Sequence, residues 1–489
     1  MKRGLLIVGK DVDAFLASHI NQNEMFGLKL DIVVLKHRDL LEFSERFPAI
    51  DVIHSLPRFL RDNSPPLEAE TDSSLFRALH SLEEKFKLRS SNRYIHYDFF
   101  RARPRDMTLR QHVIRNILFV RFFESIGLGQ YDFILGELSR SFNLICSDMA
   151  KSVGVEYLSI VNIGITRAVA FVDDRFQLRG LEKKKARLLA DPAALEEYRA
   201  KARALIDEFR NRPRYTHSFL INHSFQAGSV VKRLLGKGKA ILLELRALPI
   251  DRKFRVDYIY QNPVVRIWSR HVTAKFKAKI FQWVFFKRGF DSSGDFVYFP
   301  LHAHPETTTS LFSEFMVDHT SQQASSVEFV SKALPAGMKL VVKEHPYMLG
   351  VREARHYPEF HRWYNVDFVR PGLSQFELIQ KCRLVLTLCG TVGLEALFFS
   401  KPVIALTDSY YGYFRQIRNI RSFPDLESEI PALISSFKLD ETGLVEDLAL
   451  LLYSIHTGAI YFLIDDDARV IGKENLDLLA SSIVDELSL

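Results

Sequence analysis

At 489 residues the chain exceeds what one ordinary core accommodates, and it divides into two domains or three. Its 47% hydrophobic and 26% charged content is that of a folded soluble protein, and no apolar run approaches the roughly 18 residues of a membrane span. A net charge of +7 is mild for this size; it fits anionic substrates or a membrane surface and establishes neither. Cys146, Cys382 and Cys389 show no disulfide or metal-ligand spacing, which argues against a secreted scaffold and for a reducing cytoplasm.

In chain order, GLLIVG at 4–9 is a short apolar run, too short for a signal peptide, followed by a helical pattern to about residue 25. LDIVVLKH at 30–37 follows. Strand, helix, strand opens an α/β layer, in which buried parallel strands read as continuous apolar runs. AIDVIHSL at 49–56 and YDFILG at 131–136 read as strand ends. NLICSDMAKSVGVEYLSI, from residue 143, reads as helix, glycine turn and strand. Residues 180–211, rich in Lys, Glu, Ala and Leu, predict one long surface helix with a solvated face.

The region 212–290 is basic and aromatic. Within it, HVTAKFKAKIFQWVFFKRGF at 271–290 alternates Lys with Phe, Ile and Trp. As a helix it could lie on an anionic membrane or a partner; the plainer reading is an interdomain helix that buries its aromatics while its lysines reach water. From 295 a second α/β unit begins: DFVYFPL, a helix over 321–335, KLVVKEH, VDFVRPG, the helix FELIQKC, RLVLTLCG, the helix GLEALFFS, and KPVIALT. This repeat implies a parallel, doubly wound sheet with its ligand crevice at the carboxyl ends of the strands. The expected units are 1–215, a connecting segment 216–290, 291–435, and helices over 436–489 that pack back across both domains. The expected fold class is α/β of the GT-B kind, with two Rossmann-like domains facing a central cleft. Periplasmic-type binding proteins and two-domain epimerases share this pattern.

Four segments of the second unit end strands with polar residues. In FVYFPLHAHPETTTS, His302, His304, Glu306 and Thr307 crowd just past Pro300. They suit hydrogen bonds to a sugar or a base; His302, His304 and Glu306 as a metal set is the weaker alternative, because a His-x-His pair without further ligands is poor evidence. In VVKEHP, Pro346 ends the strand, Lys343 offers a compact cation and His345 can donate to an anionic oxygen, a combination suited to phosphate. In VRPG-x-S, Ser374 and Glu377 have capping-box spacing, and Arg370 can point into the crevice. In LCGTVGLEAL, Gly390, Thr391 and Gly393 lead directly into a helix. Glycines there let backbone approach an anion, and the helix start favours negative charge. Glu395 either complements the helix dipole or accepts from ribose hydroxyls. The spacing is neither that of a dinucleotide fingerprint nor of a Walker A loop.

Taken together, FVYFPLHAHPE, VVKEHP, RPG with Ser374, and CGTVGLEAL followed by KPVI resemble the bacterial capsule polysaccharide biosynthesis family, which includes the Kdo transferases that build capsule lipid linkers. The resemblance is clearest over about 290–405 and fainter around YDFILGELSRSFNLICSDMAKSVGVEYLSI. The Lys-x-His-Pro loop is also similar to that of bacterial sialyltransferases and CDP-glycerol-using teichoic acid polymerases. The resemblance implies a CMP-sugar donor carrying Kdo or another nonulosonic acid. It further implies His345 and Lys343 on the donor phosphate, Thr391 with the backbone of Gly390 and Gly393 around it, Glu395 on the ribose, and His302, His304 and Glu306 meeting the donor from the neighbouring loop.

An inverting transfer needs a general base from the opposite wall of the cleft. Glu137, ending the YDFILG strand, is the first candidate; Asp11, in GKDVD, is the second, with a helix-start role as the plainer alternative for both. CMP leaves with one phosphate, so basic side chains and a helix dipole suffice, and neither a catalytic metal nor another cofactor is expected. Expected partners are a nucleotide-sugar donor and a glycan or glycolipid acceptor. Peripheral contact with the inner membrane or capsule assembly proteins fits a cytoplasmic location; nucleic acid is not an expected partner. Rival readings are a UDP-sugar transferase or epimerase of the same architecture, or a non-catalytic glycan-binding capsule assembly or export protein.

Overall fold

A computed structural model describes residues 1–9, 11–101, 108–166, 168–213, 274–286, 294–303, 323–352, 354–460 and 468–489. Among them run thirteen strands: β1 (Lys2–Ile7), β2 (Leu28–Val34), β3 (Ile53–Ser55), β4 (Phe133–Leu135), β5 (Glu156–Ile163), β6 (Ala168–Val172), β7 (Phe296–Pro300), β8 (Lys339–Lys343), β9 (Val366–Val369), β10 (Leu384–Thr387), β11 (Val403–Ala405), β12 (Ile417–Asn419) and β13 (His456–Thr457).

They form two sheets, ordered β13-β6-β5-β4-β1-β2-β3 and β12-β11-β10-β7-β8-β9. In the second sheet every pairing is parallel. The first is parallel from β3 to β5 and antiparallel at β5–β6 and β6–β13. Each sheet is doubly wound. The strand order reverses between β1 and β4 in the first sheet and between β7 and β10 in the second, and it is outside the carboxyl ends at such points that α/β folds hold ligands. The apolar runs of the sequence are these strands: the four residues of β9 and of β10 are all buried, as parallel strands covered by helices on both faces must be.

One hydrophobic cluster spans both units, joining Ala170 and Val172 of the first sheet to Tyr298, Val385 and Val403 of the second. The predicted long surface helix over 180–211 contributes to it and differs from expectation in one way. It is broken into Leu181–Ala190 and Pro192–Asn211, because the Asp191 side chain accepts from the N–H groups of Ala193 and Ala194 and starts a new helix at Pro192. Its solvated face is as expected, and its second half also has a buried one. Ala202, Ile206 and Phe209 recur at helical spacing, are buried, and turn the helix against Glu441–Ser454. Phe209 meets the rings of Phe376 and Phe398 at 5.7 and 5.3 Å.

The tail returns to the first sheet. β13 extends its edge, and helix Lys473–Glu486 packs on helix Asp11–Gln22. Glu486, fully buried, is met by Lys184 at 2.9 Å, Arg179 at 3.1 Å and His456 at 3.3 Å, so the carboxylate is compensated by several donors.

Within the basic aromatic stretch, residues 274–286 are described, and Ala274–Val284 is a helix. It packs on the second sheet domain. Phe285 stacks on Tyr357 at 4.8 Å, Phe286 on Phe368 at 4.9 Å, and His361 Nε2 meets the Phe285 carbonyl at 2.6 Å.

Candidate functional site

Lys343 is the last residue of β8, held between β7 and β9, with its carbonyl accepting from Leu301 N–H at 2.9 Å. Its side chain is buried, and burial pulls the ammonium down from its ordinary 10.5 to about 8 while the nearby Glu395 carboxylate opposes the fall. A buried cation that holds its proton less tightly than usual thus stands at the carboxyl end of a central strand, where parallel α/β sheets commonly hold ligands.

The next residue was not singled out from the sequence and organises the loop. Glu344 is buried and paired in fork geometry with the fully buried Arg352, Nε to Oε2 at 2.7 Å and Nη2 to Oε1 at 3.0 Å. Glu344 Oε1 also accepts the His345 N–H at 2.7 Å. His345, half-buried, is therefore placed by a buried ion pair immediately beneath it. The available signal was a second charge beside Lys343 inside an apolar strand, where only a partnered charge survives burial.

On the other side of the strand-order reversal, His302 follows β7. Its N–H and C=O are both taken by the side-chain amide of Gln323, at 2.9 and 3.0 Å. Its ring is buried, sits 3.3 Å from Thr387 Oγ1, and is pushed down by burial to about 4, so it is neutral near pH 7. Gln323 was also missed; an isolated Gln carries no pattern.

The glycine loop after β10 departs from its expected rationale. A Cβ on Gly390 would stand 3.0 Å from the His302 ring, and a Cβ on Gly393 would stand 2.8 Å from the Tyr411 hydroxyl. Tyr411 in turn donates to the Gly390 carbonyl. The glycine N–H groups are engaged as well, Gly390 with Thr387 Oγ1 at 3.1 Å and Gly393 with the Gly390 carbonyl at 3.0 Å. Glycine is required here to admit a histidine and a tyrosine from other segments. Thr391, half-buried, occupies the start of helix Val392–Phe398, and Glu395 within it is fully buried, with Gln375 Nε2 donating to its Oε2 at 2.5 Å. Glu395 thus lies in the floor beside Lys343 rather than on an open rim. Ser374 is the cap of helix Gln375–Lys381, accepting from Glu377 N–H at 3.4 Å, while Arg370 at the end of β9 is exposed.

On the first sheet, Glu137 lies just past β4 and is half-buried, at the carboxyl rim beside the point where strand order reverses. The Asp11 backbone begins helix Asp11–Gln22, and its side chain lies outside what is described. Asp13, not singled out from the sequence, accepts the Gly9 N–H at 2.7 Å after β1. Position 9 also adjoins the Arg140 guanidinium, since a Cβ there would lie 3.6 Å from Arg140 Nη1. The structure therefore sets Glu137 and Asp11 on one rim, and Lys343, His345, His302 and the 390–395 loop on the other. His304, Glu306 and Thr307 lie outside the described residues. Among those described, no group of three or more His, Cys, Asp or Glu is gathered as for a metal. A cavity of about 600 Å³ between the two units, whose lining includes Arg179, Lys183, Asp408 and Tyr413, contains none of the predicted residues.

Residues 290–414, the span of β7 to β11 and the loop beyond, match the family of capsule polysaccharide biosynthesis proteins. All the donor-side residues predicted from sequence, from His302 to Glu395, fall inside the matched span. No curated protein sequence matches the chain. Among solved structures, it is similar to the Thermosulfurimonas dismutans KpsC beta Kdo 2,4 transferase, at 14% identity over 70% of this chain and 88% of that one, with a TM-score of 0.31. The beta Kdo 2,7 transferase of the same KpsC gives 12% identity over 73% and 83%, with a TM-score of 0.30. Methanocaldococcus jannaschii UDP-GlcNAc 2-epimerase in complex with UDP-GlcNAc and UDP gives 11% over 92% and 99%, with a TM-score of 0.28. Overlaps this low say nothing of substrate.

Proposed function

We propose that the protein is a glycosyltransferase that moves a sugar from a CMP-activated donor, Kdo or another nonulosonic acid, to a capsular or surface glycan acceptor. The observation that carries the reading is the placement of Lys343. It is a buried cation with lowered proton affinity at the end of a central strand of the 290–414 span, with His345 two residues beyond and the 390–393 loop across the strand-order reversal.

In this reading the acceptor hydroxyl oxygen attacks the anomeric carbon as the bond from that carbon to the CMP phosphate oxygen breaks. Glu137 takes the hydroxyl proton. The electron pair leaves with CMP, and the charge developing on its phosphate is met by His345 and Lys343. His302 is neutral and buried behind Gly390, so its part is to shape the loop through Thr387 and Gly390. Glu395 keeps Lys343 protonated and leaves the ribose to groups nearer the surface. One phosphate and two basic side chains balance without a resident metal, so EDTA is expected to leave transfer unchanged.

Thermal unfolding of the full chain with CMP, UMP, UDP, CDP and GDP tests the donor class. A ligand at 100 times its dissociation constant adds about 2.7 kcal/mol, enough for a clear rise in Tm. CMP is expected to give the largest rise. A preference for UDP would replace the proposal with the UDP-sugar reading, and no rise with any nucleotide would favour a glycan-binding protein without catalysis.

A further inference from the structure

We infer that helix Ala274–Val284 is a docking element for an anionic phospholipid surface, lying flat on it by a face that the fold leaves bare. The helix has two apolar sides. One is consumed by packing: Phe281 and Phe286 are buried in the second domain's core, and Phe285 stacks on Tyr357. That aromatic contact fixes the roll of the helix. The other side carries Phe276, Ile280, Trp283 and Val284, which are 67%, 43%, 69% and 52% exposed.

At about 100° per residue these four side chains form one stripe about 100° wide. Lys277 falls on one border of that stripe and Lys279 on the other, and both are exposed. Trp, Phe and Ile in the middle with lysines along both edges is the layout of an in-plane interfacial helix, whose apolar residues enter the acyl boundary while the ammonium groups meet phosphates. The sequence from 271 to 290 holds Lys275, Lys277, Lys279, Lys287 and Arg288 and no Asp or Glu, so the charge matches an anionic surface and is wrong for a basic one. The turn that His361 ties to this helix also presents Tyr364, 97% exposed, and aromatic residues of this kind settle at headgroup depth. With 11 residues the helix is about 16 Å long, too short to cross a bilayer, and among the described residues no helix is long and apolar enough to do so.

Co-sedimentation of the full chain with phosphatidylcholine vesicles, with and without one quarter phosphatidylglycerol, tests this in the absence of any sugar donor. It is therefore independent of the proposed chemistry. The chain is expected to bind the phosphatidylglycerol vesicles and to lose binding as salt is raised. Ile280→Ser with Trp283→Ser should weaken binding at least tenfold, and Lys277→Gln with Lys279→Gln should remove about fivefold per lysine from the preference for anionic lipid. All four side chains are exposed, so circular dichroism and Tm should stay as in the parent chain. The inference is overturned if the chain binds neither vesicle, or if Ile280→Ser with Trp283→Ser binds as the parent does. It is equally overturned if those changes convert a dimer to a monomer while vesicle binding is absent, since the face would then serve a second copy of the chain.

Discussion

Replacing Lys343 by Met removes a charge that the fold holds against its preference, and the consequence is a stability that depends differently on pH. The ammonium ionises at about 8 in the folded chain against 10.5 when unperturbed, a difference worth about 3 kcal/mol at about 1.36 kcal/mol per unit. Below pH 8 both folded and unfolded chains carry the proton, and the full penalty is present. Between pH 8 and 10.5 the unfolded chain keeps a proton that the folded chain has released, so Lys343 makes stability rise with pH across that window. Urea unfolding at pH 7, 8, 9 and 10 should show this rise in the parent chain and its loss in Lys343→Met. Because Lys343→Met also strips Glu395 of its nearby cation, Lys343→Met with Glu395→Gln is the cleaner comparison. CMP binding should weaken as pH rises through 8 in the parent and be weak and flat in the variant. Equal pH slopes in parent and variant, together with CMP binding that ignores pH, would refute the placement of Lys343 as a strained cation facing the phosphate.

Arg352→Met leaves the Glu344 carboxylate buried without its partner and should cost about 3–5 kcal/mol in urea unfolding, with Glu344→Gln added to it restoring much of the loss. Gly393→Ala drives a methyl against the Tyr411 hydroxyl and should destabilise by about 1–3 kcal/mol; Tyr411→Phe in the same chain should relieve most of it. His345→Ala should lower transfer by about 10²–10³ with Tm unchanged, measured with CMP-sugar and a glycan acceptor. Glu137→Gln should bind CMP as the parent does while transfer falls by about 10²–10⁴; normal transfer would place the base elsewhere.

The strands were legible because parallel strands covered on both faces need apolar residues at nearly every position, and LLI, IVV, FVYF, LVV and LVL supply them in short bounded runs. Glu137 and Lys343 were legible for the same reason, as polar residues at the point where such a run stops. The edge strand β13 was not, since two residues, His456 and Thr457, carry no periodicity and pair only because β6 offers a free edge. The break at Asp191 was written in an Asp-Pro step within an otherwise helical composition, a start signal that Ala- and Lys-rich flanks outweighed. The reason for Gly390 and Gly393 was beyond reach of local reading, because the atoms that exclude a Cβ belong to His302 and Tyr411 and arrive through the sheet.

That long-range packing also explains how one buried pair can serve an anion. Lys343 and Glu395 are opposite charges in the same dry floor, and left to each other they would cancel. Gln375 changes the balance by donating to Glu395 Oε2 at 2.5 Å, a hydrogen bond that does not involve the ammonium. Lys343, with three donors, can then turn one toward a phosphate above it while Glu395 keeps a partner below. Phosphate arriving from solvent would bring negative charge to an ammonium whose proton affinity burial has lowered, raising that affinity and strengthening the contact as it forms. His345, held by the Glu344–Arg352 pair rather than by Lys343, does not have to move when this happens. The loop is thus fixed by one ion pair and tuned by the charge of a nearby carboxylate, and Lys343 and Glu344, which carry the two effects, are adjacent where β8 ends.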